Sequence, residues 1–383
     1  MIRELTLILL LMSVSYSQGN AQSNTETRHR ARYYGITPGI LQTGHWNAIT
    51  DVPGVKVGQV TLIKGDSVRT GVTVIIPHSG NMFQEKVPAG VYVGNGFGKI
   101  TGTTQIEELG NMETPIALTN TLNVPIVANA MIDYMLNFPG NENVQSVNTV
   151  VGETNDGYLN DIRGRHVHAE DVEKALQIAA SGSVAEGNVG AGTGTICMGF
   201  KGGIGTSSRV LPQSKGGYTV GVLVQTNFGG ILSIDGAPVG KALDTYYMSG
   251  ETNYKVDGSC MIVIATNAPL SSRNLKRLAK RSFLALGSVG SFSSNGSGDY
   301  SIAFSTDTAT YVPYESKSPV QEVPRLSNDD MSPLFLAVKE ATEEAVYNSL
   351  FMAQDMKGYH GHEVKALPLE KTLAILKHYR IIK

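Results

Sequence analysis

The sequence predicts a mixed α/β or α+β sandwich, and three observations carry that reading. Four short segments, Val72–Ile76, Thr219–Val224, Met261–Ala265 and Ser301–Phe304, are rich in β-branched or apolar residues and are bounded by glycines or polar turns, as buried strands are. Three segments show helical spacing with start or stop signals. Strands and helices are mixed through the chain without strict βαβ alternation.

Asp171 to Ala180 reads as a helix stopped at Gly182. Ser271 caps a second, in which Leu275, Leu278, Ala279 and Leu286 recur at helical spacing. Ser332-Pro333 opens a third, running to about Ala353, with proline in the first turn where its missing N–H costs nothing. The start of the mature chain and the segment from Glu315 to Asp330, with Pro319 and Pro324, are expected to be the least ordered parts. No repeat of fixed period is visible.

At 383 residues the chain can bury a large core, as one large domain or two ordinary ones. With 41% apolar and 17% charged residues and 43 glycines, it reads as an ordinary globular protein with many tight turns. A net charge of −2 gives no basic field to gather phosphates, which argues against nucleic acid as a partner. The first 22 residues carry Arg3, an apolar run from Leu5 to Val14, and small residues at Ser15, Ser17, Gly19 and Ala21. That is the layout of a secretory signal cut after Ser17, Ala21 or Gln22, so the protein is expected to be exported, periplasmic or secreted, and free of the membrane once cut. Cys197 and Cys260 both lie in apolar runs and read as small core residues rather than a disulfide.

The segment VDGSCMIVIAT sets Ser259 at the mouth of a buried-looking strand, directly after Asp257-Gly258. A serine hydroxyl needs a base, yet there is no GxSxG elbow, and none of the eight histidines lies in a recognisable catalytic motif. If the bond before Ser259 is cut, the freed α-amine can serve as base to its own hydroxyl, because such amines titrate at about 7.7 to 8.0. Gly258, lacking a Cβ, suits the close approach of that hydroxyl to the preceding carbonyl. A DGS triplet on its own reads as readily as a turn.

Longer stretches bear on the choice: NAITDVPGVKVGQVTLI (Asn47 to Ile63), GNGFGKITGTTQIEELGNMETPIALTNTLNV (Gly94 to Val124), VVGETNDGYLND (Val150 to Asp161), FKGGIGTSSR (Phe200 to Arg209), GVLVQTNFG (Gly221 to Gly229), DGSCMIVIATNAPL (Asp257 to Leu270) and NGSGDYSIAFST (Asn295 to Thr306). In these, most of the mature chain resembles the L-aminopeptidase/D-esterase family, which includes the β-peptidyl aminopeptidases. The resemblance implies a four-layer αββα sandwich of N-terminal-nucleophile-like architecture. It further implies one catalytic domain, residues 23–383, self-cleaved between Gly258 and Ser259 into an α segment 23–258 and a β segment 259–383.

The family's nucleophile falls on Ser259 and its oxyanion-hole asparagine on Asn227. The pair that orients the nucleophile and its amine falls on Ser297 and Asp299, the latter a glutamate in some relatives. The carboxylate that binds the substrate's amine falls on Glu153, and Asn155 stands where some relatives carry tyrosine. The implied substrates are peptides, amides or esters with a free amine, of L-, D- or β-configuration, with no cofactor and no metal; homo-oligomers of processed αβ units are usual. Two alternatives are an acyltransferase or amide-oligomer hydrolase of the related branch, which generally uses threonine where Ser259 stands, and a non-catalytic exported binding protein.

The GNVGAGTGT run (Gly187 to Thr195) lacks the Lys-Ser/Thr pair of a phosphate loop, and the resemblance implies a place near the active site instead. His166/His168 and His360/His362 lack Cys or Glu partners at metal-site spacing and read as loop histidines. The basic residues of RNLKRLAKR read as a helix's wet face.

Overall fold

A computed structural model describes residues 27–249, 258–316 and 318–383. The leader at residues 1–22 and the Val256-Asp257 part of the junction lie outside the described residues. In chain order the strands are β1 (Lys56–Lys64), β2 (Val68–Ile76), β3 (Glu85–Gly96), β4 (Asn111–Met112), β5 (Ile116–Asn120) and β6 (Val150–Thr154). Then follow β7 (Ile196–Cys197), β8 (Phe200–Lys201), β9 (Ile204–Val210), β10 (Thr219–Asn227), β11 (Ser259–Thr266), β12 (Gly298–Ser305) and β13 (Val312–Pro313).

Two sheets carry the molecule. One has four strands in the order β1-β2-β5-β6; the other runs β13-β3-β12-β11-β10-β9, with β4 pairing to β3. Alternation along the strands sorts side chains into separate apolar layers. Ile75, Ile116 and Leu118 of the first sheet meet Leu223, Val263 and Ile302 of the second between the sheets. Val72, Val74 and Ala117 turn outward onto the helices Val124–Leu136 and Ala169–Gln177. Val222, Cys260, Ile262 and Ile264 face the helices Ser272–Ser288 and Ser332–Phe351. The result is the four-layer αββα sandwich.

The strands expected at Val72, Thr219, Met261 and Ser301 are all present, each longer than its apolar run. The helix expected to reach Ala180 ends at Gln177, because Ala180 instead exchanges main-chain hydrogen bonds with Val57 of β1 at 3.0 and 3.1 Å. Ser271 caps its helix by accepting from the Asn274 N–H, as read. The basic face of that helix is less wet than expected, since the Arg277 and Arg281 guanidinium groups lie over the Phe335 ring. The first four residues of the expected mature chain, 23–26, lie outside the described residues; a little further on Ala31 is fully buried and its N–H donates to Asn348 Oδ1 at 3.0 Å. Burial and this bond tie the segment down.

Among the described residues no helix is long and apolar enough to cross a membrane. The Ser332–Phe351 helix is buried nearly all round and carries Glu340 and Glu344 inward, where Arg209 Nε meets Glu340 at 3.0 Å and Arg209 Nη2 meets Glu344 at 2.8 Å. Arg32 joins Glu344 at 2.7 Å. This ionic cluster sits at the Val220 end of β10, seven residues or about 23 Å along the strand from Asn227.

Candidate active site

The opposite end of the same strands gathers four of the five residues singled out in the sequence. In the β10–β11 ladder Asn227 stands opposite Ser259, and in the parallel β11–β12 pair Ser259 stands opposite Gly298, between Ser297 and Asp299. Ser259, Asn227, Ser297 and Asp299 are all buried. Three strands far apart in sequence thus deliver a hydroxyl, an amide and a hydroxyl–carboxyl pair to one sheet end.

Ser259 Oγ donates to the carbonyl oxygen of Gly258 at 2.6 Å. The Gly298 N–H donates to that same oxygen at 3.2 Å. The carbonyl of the bond before Ser259 is therefore polarised by a main-chain amide with the hydroxyl beside it. Space explains the glycine: a Cβ on Gly258 would lie 2.2 Å from the Asn227 carbonyl oxygen and 2.6 Å from Phe228 Cα, and neither backbone atom can yield.

Asn227 is held at both ends of its amide. Its Oδ1 accepts from the Ile196 N–H at 2.9 Å, and its Nδ2 donates to the Asn155 carbonyl at 3.0 Å. Turning the amide over would set donor against donor and acceptor against acceptor, so its orientation is determined, and the second Nδ2 hydrogen remains uncommitted to either contact. Ser297 Oγ donates to Asp299 Oδ1 at 2.7 Å, and burial raises the Asp299 carboxyl above its ordinary range against that hydrogen bond.

Glu153 lies on the other sheet, at the end of β6. It is 2% exposed, its Oε1 accepts from the Lys99 N–H at 2.9 Å, and its Oε2 takes the Thr121 hydroxyl. Burial raises its carboxyl above the usual value, with the Thr121 hydroxyl and the Lys99 amide partly offsetting it. Its link to the serine end is short. The Phe97 N–H donates to the Ser297 carbonyl at 3.2 Å, so only two residues, about 7 Å of chain at full stretch, separate the amide that meets Ser297 from the one that meets Glu153.

The glycine-rich run forms the Gly190–Gly192 turn and leads through Thr195 into the β7–β8 hairpin, which supplies the Ile196 amide to Asn227. A Cβ at Gly194 would sit 2.1 Å from the Arg69 carbonyl oxygen, so this turn lies pressed against the backbone of β2. Of the histidines, His166 Nε2 is 3.1 Å from Asp161, while His362 stacks on Tyr158 and bonds to its carbonyl at 2.8 Å. Cys197 and Cys260 are both fully buried, and burial pushes the Cys197 thiol up to about 12. Sequence reasoning misses the Asn155 carbonyl, the Ile196 amide and the Thr121 hydroxyl, which act through backbone or common side chains. It also misses Lys201, although a lysine between phenylalanine and two glycines in FKGGIG is a legible oddity.

Residues 47–364 match the family model for peptidase family S58. The chain belongs to peptidase family S58. This S58 peptidase is 43% identical over 374 residues, 92% of each chain, to the β-peptidyl aminopeptidase BapA of Sphingosinicella microcystinivorans. It superposes with a TM-score of 0.84 and 42% identity on a β-aminopeptidase of Burkholderia sp., covering 91% of this chain and 99% of that one. It also superposes with a TM-score of 0.85 and 38% identity on the L-aminopeptidase D-Ala-esterase/amidase of Ochrobactrum anthropi, covering 92% and 99%. That structure is described as a prototype for the serine aminopeptidases and a variant of the Ntn hydrolase fold. The S58 chain is accordingly a serine aminopeptidase with the N-terminal-nucleophile hydrolase fold, and peptides are its substrates.

Proposed function

We propose that the chain matures by cutting itself between Gly258 and Ser259 and then removes N-terminal residues from peptides, amides or esters through an acyl-enzyme on Ser259. The observation that carries this reading is the 2.6 Å contact of Ser259 Oγ with a Gly258 carbonyl that already receives the Gly298 N–H. Attack of Oγ on the Gly258 carbonyl carbon forms an ester and breaks the C–N bond, leaving the Ser259 amine free. Water then hydrolyses the ester and releases the Gly258 carboxylate. In turnover the freed amine takes the proton of its own hydroxyl as Oγ attacks the substrate carbonyl, and it returns that proton to the leaving amine; water then hydrolyses the acyl-enzyme ester, releasing the amino acid and restoring the Ser259 hydroxyl.

The Nδ2 hydrogen of Asn227 that the Asn155 carbonyl does not take stabilises the oxyanion, a post worth about 3 kcal/mol in acyl transfer. Asp299, held by Ser297, receives the α-ammonium, so the charge that burial disfavours on Asp299 gains a partner after the cut. Glu153 binds the substrate's ammonium, which is why a free amine is required. The names of the relatives point to β-amino acyl as well as L- and D-amino acyl substrates, and a panel of L-, D- and β-alanyl amides separates these classes. Export through the leader at residues 1–22 and assembly of the α segment 23–258 with the β segment 259–383 into homo-oligomers belong to the same reading.

Denaturing mass spectrometry of active protein is expected to return two fragments divided before Ser259. Ser259→Ala is expected to stay whole and inactive. A single uncut chain with full activity overturns the mechanism.

A further inference from the structure

Lys201 is fully buried at the end of β8, and its hydrogen bonds go to main-chain carbonyls: Gly192 at 3.1 Å and Gly202 at 2.7 Å. Burying an ammonium without a hydrogen-bonded counter-ion is costly, and an apolar side chain would fill the same space more cheaply. The position of those two carbonyls gives the charge a use. Gly192 closes the glycine-rich turn, and its carbonyl also takes the Thr195 hydroxyl at 3.1 Å. The Gly202 N–H donates to the Thr195 carbonyl at 3.1 Å, and Ile196, the next residue, gives its N–H to Asn227 Oδ1 at 2.9 Å.

We propose that Lys201 is a positioning residue for turnover: by clamping the Gly192 and Gly202 carbonyls it holds the Thr195–Ile196 peptide whose N–H aims the Asn227 amide. The other grip on that amide comes from the Asn155 carbonyl, and the next residue, Asp156, is also fully buried and bonded to Asn160 Nδ2 at 3.0 Å. Burial pulls Lys201 down to about 7, against the opposing pull of the Asp156 carboxyl. The two loops that hold Asn227 thus each bury an ionisable group, an acid on one and a base on the other. Sub-ångström placement matters here, because a displacement of about 1 Å at a reacting group can cost about 10²-fold in rate. The scissile Gly258 carbonyl is served instead by the Gly298 N–H, so self-cleavage depends less on this clamp than turnover does.

The inference rests on Asn227 as the oxyanion donor, and a double-mutant cycle in the full chain keeps the two claims apart. With kcat counted per self-cleaved chain on an alanyl anilide, Asn227→Ala is expected to lower kcat about 10²- to 10³-fold. Lys201→Met is expected to lower it about 10- to 100-fold with KM within about two-fold, and to add nothing in the Asn227→Ala background. The extent of self-cleavage in Lys201→Met should stay close to wild type. Should Lys201→Met fail to fold, Thr195→Val removes one hydrogen bond of the same clamp. It is expected to lower kcat about three- to ten-fold, again with no added loss beside Asn227→Ala. Full kcat in Lys201→Met or, where that variant does not fold, in Thr195→Val overturns the inference alone, as do losses that multiply with that of Asn227→Ala. Full kcat in Asn227→Ala overturns the oxyanion assignment and the inference with it.

Discussion

The two ends of β10 treat buried charge in opposite ways. At the Val220 end charge meets charge: Arg209 bonds to both Glu340 and Glu344, and Arg32 adds a second cation to Glu344. At the Asn227 end charges meet neutral dipoles. Glu153 is bound by a hydroxyl and an amide N–H, Asp299 by the Ser297 hydroxyl, Asp156 by an asparagine, and Lys201 by two carbonyls. Titration follows the division. Burial would raise the Glu344 carboxyl, but Arg32 and Arg209 bring it below its ordinary range, whereas burial raises Glu153, Asp156 and Asp299. Glu186 is the exception, pushed up to about 7 by full burial although Arg30 pairs with it. Charges cancelled in place serve the fold, and charges hydrogen-bonded to dipoles keep a field that a substrate ammonium or a freed amine can use.

Mutations at the two ends should therefore fail in different currencies. The largest expected effect is on stability: Arg209→Met takes the cation from buried Glu340 and leaves Glu344 with Arg32 alone, and should cost about 3–5 kcal/mol in denaturant unfolding, with kcat of the folded fraction unchanged. Comparable loss of kcat would break the division. Next, Glu153→Gln should lower kcat/KM about 30- to 200-fold for substrates with a free amine, about 2–3 kcal/mol, while the melting temperature holds or rises. A melting temperature that falls with activity would make Glu153 structural.

The pH dependence of stability sharpens the contrast. Asp156 has a folded value of about 7 against an ordinary 3.8, so its favourable contribution is complete below 3.8 and lost as pH rises through about 7. Asp156→Asn should gain on wild type across that interval. Glu344 is lowered, so its contribution is complete above the ordinary 4.5 and lost as pH falls through the folded value, and Glu344→Gln should close on wild type in acid. Slopes of the same sign in the two variants would contradict the assignment. The smallest effect belongs to the exposed Lys276–Glu107 pair, where Lys276→Ala should change stability by no more than about 0.5 kcal/mol.

Much of this is legible in the sequence where periodicity or motif bears on it. The apolar runs of β2, β10, β11 and β12 announce the sheets, because alternation and burial write themselves into side-chain type. Ser259, Asn227, Ser297 and Asp299 are readable through the motifs around them, and the ladder then sets them side by side. Main-chain partners are not readable, since any residue can supply the Ile196 N–H or the Asn155 carbonyl. The buried ion cluster escapes as well: Glu340 and Glu344 look like the wet face of a helix until Arg209, more than a hundred residues earlier, is seen between them.

The strand order has a consequence for how a matured molecule comes apart. Strands β11 and β12 lie between β3 on one side and β10 on the other, and β13 crosses to the far edge of β3. A chain severed before Ser259 is therefore two polypeptides threaded through one sheet, and neither can leave without unzipping ladders on both its flanks. Unfolding the intact precursor is a unimolecular event that can run backwards at any dilution. After severance the return journey requires two molecules to meet, so its midpoint should depend on concentration, and dilute samples should not recover. Maturation would then work as a ratchet on the fold itself, turning a reversible structure into one that persists only for as long as it does not open.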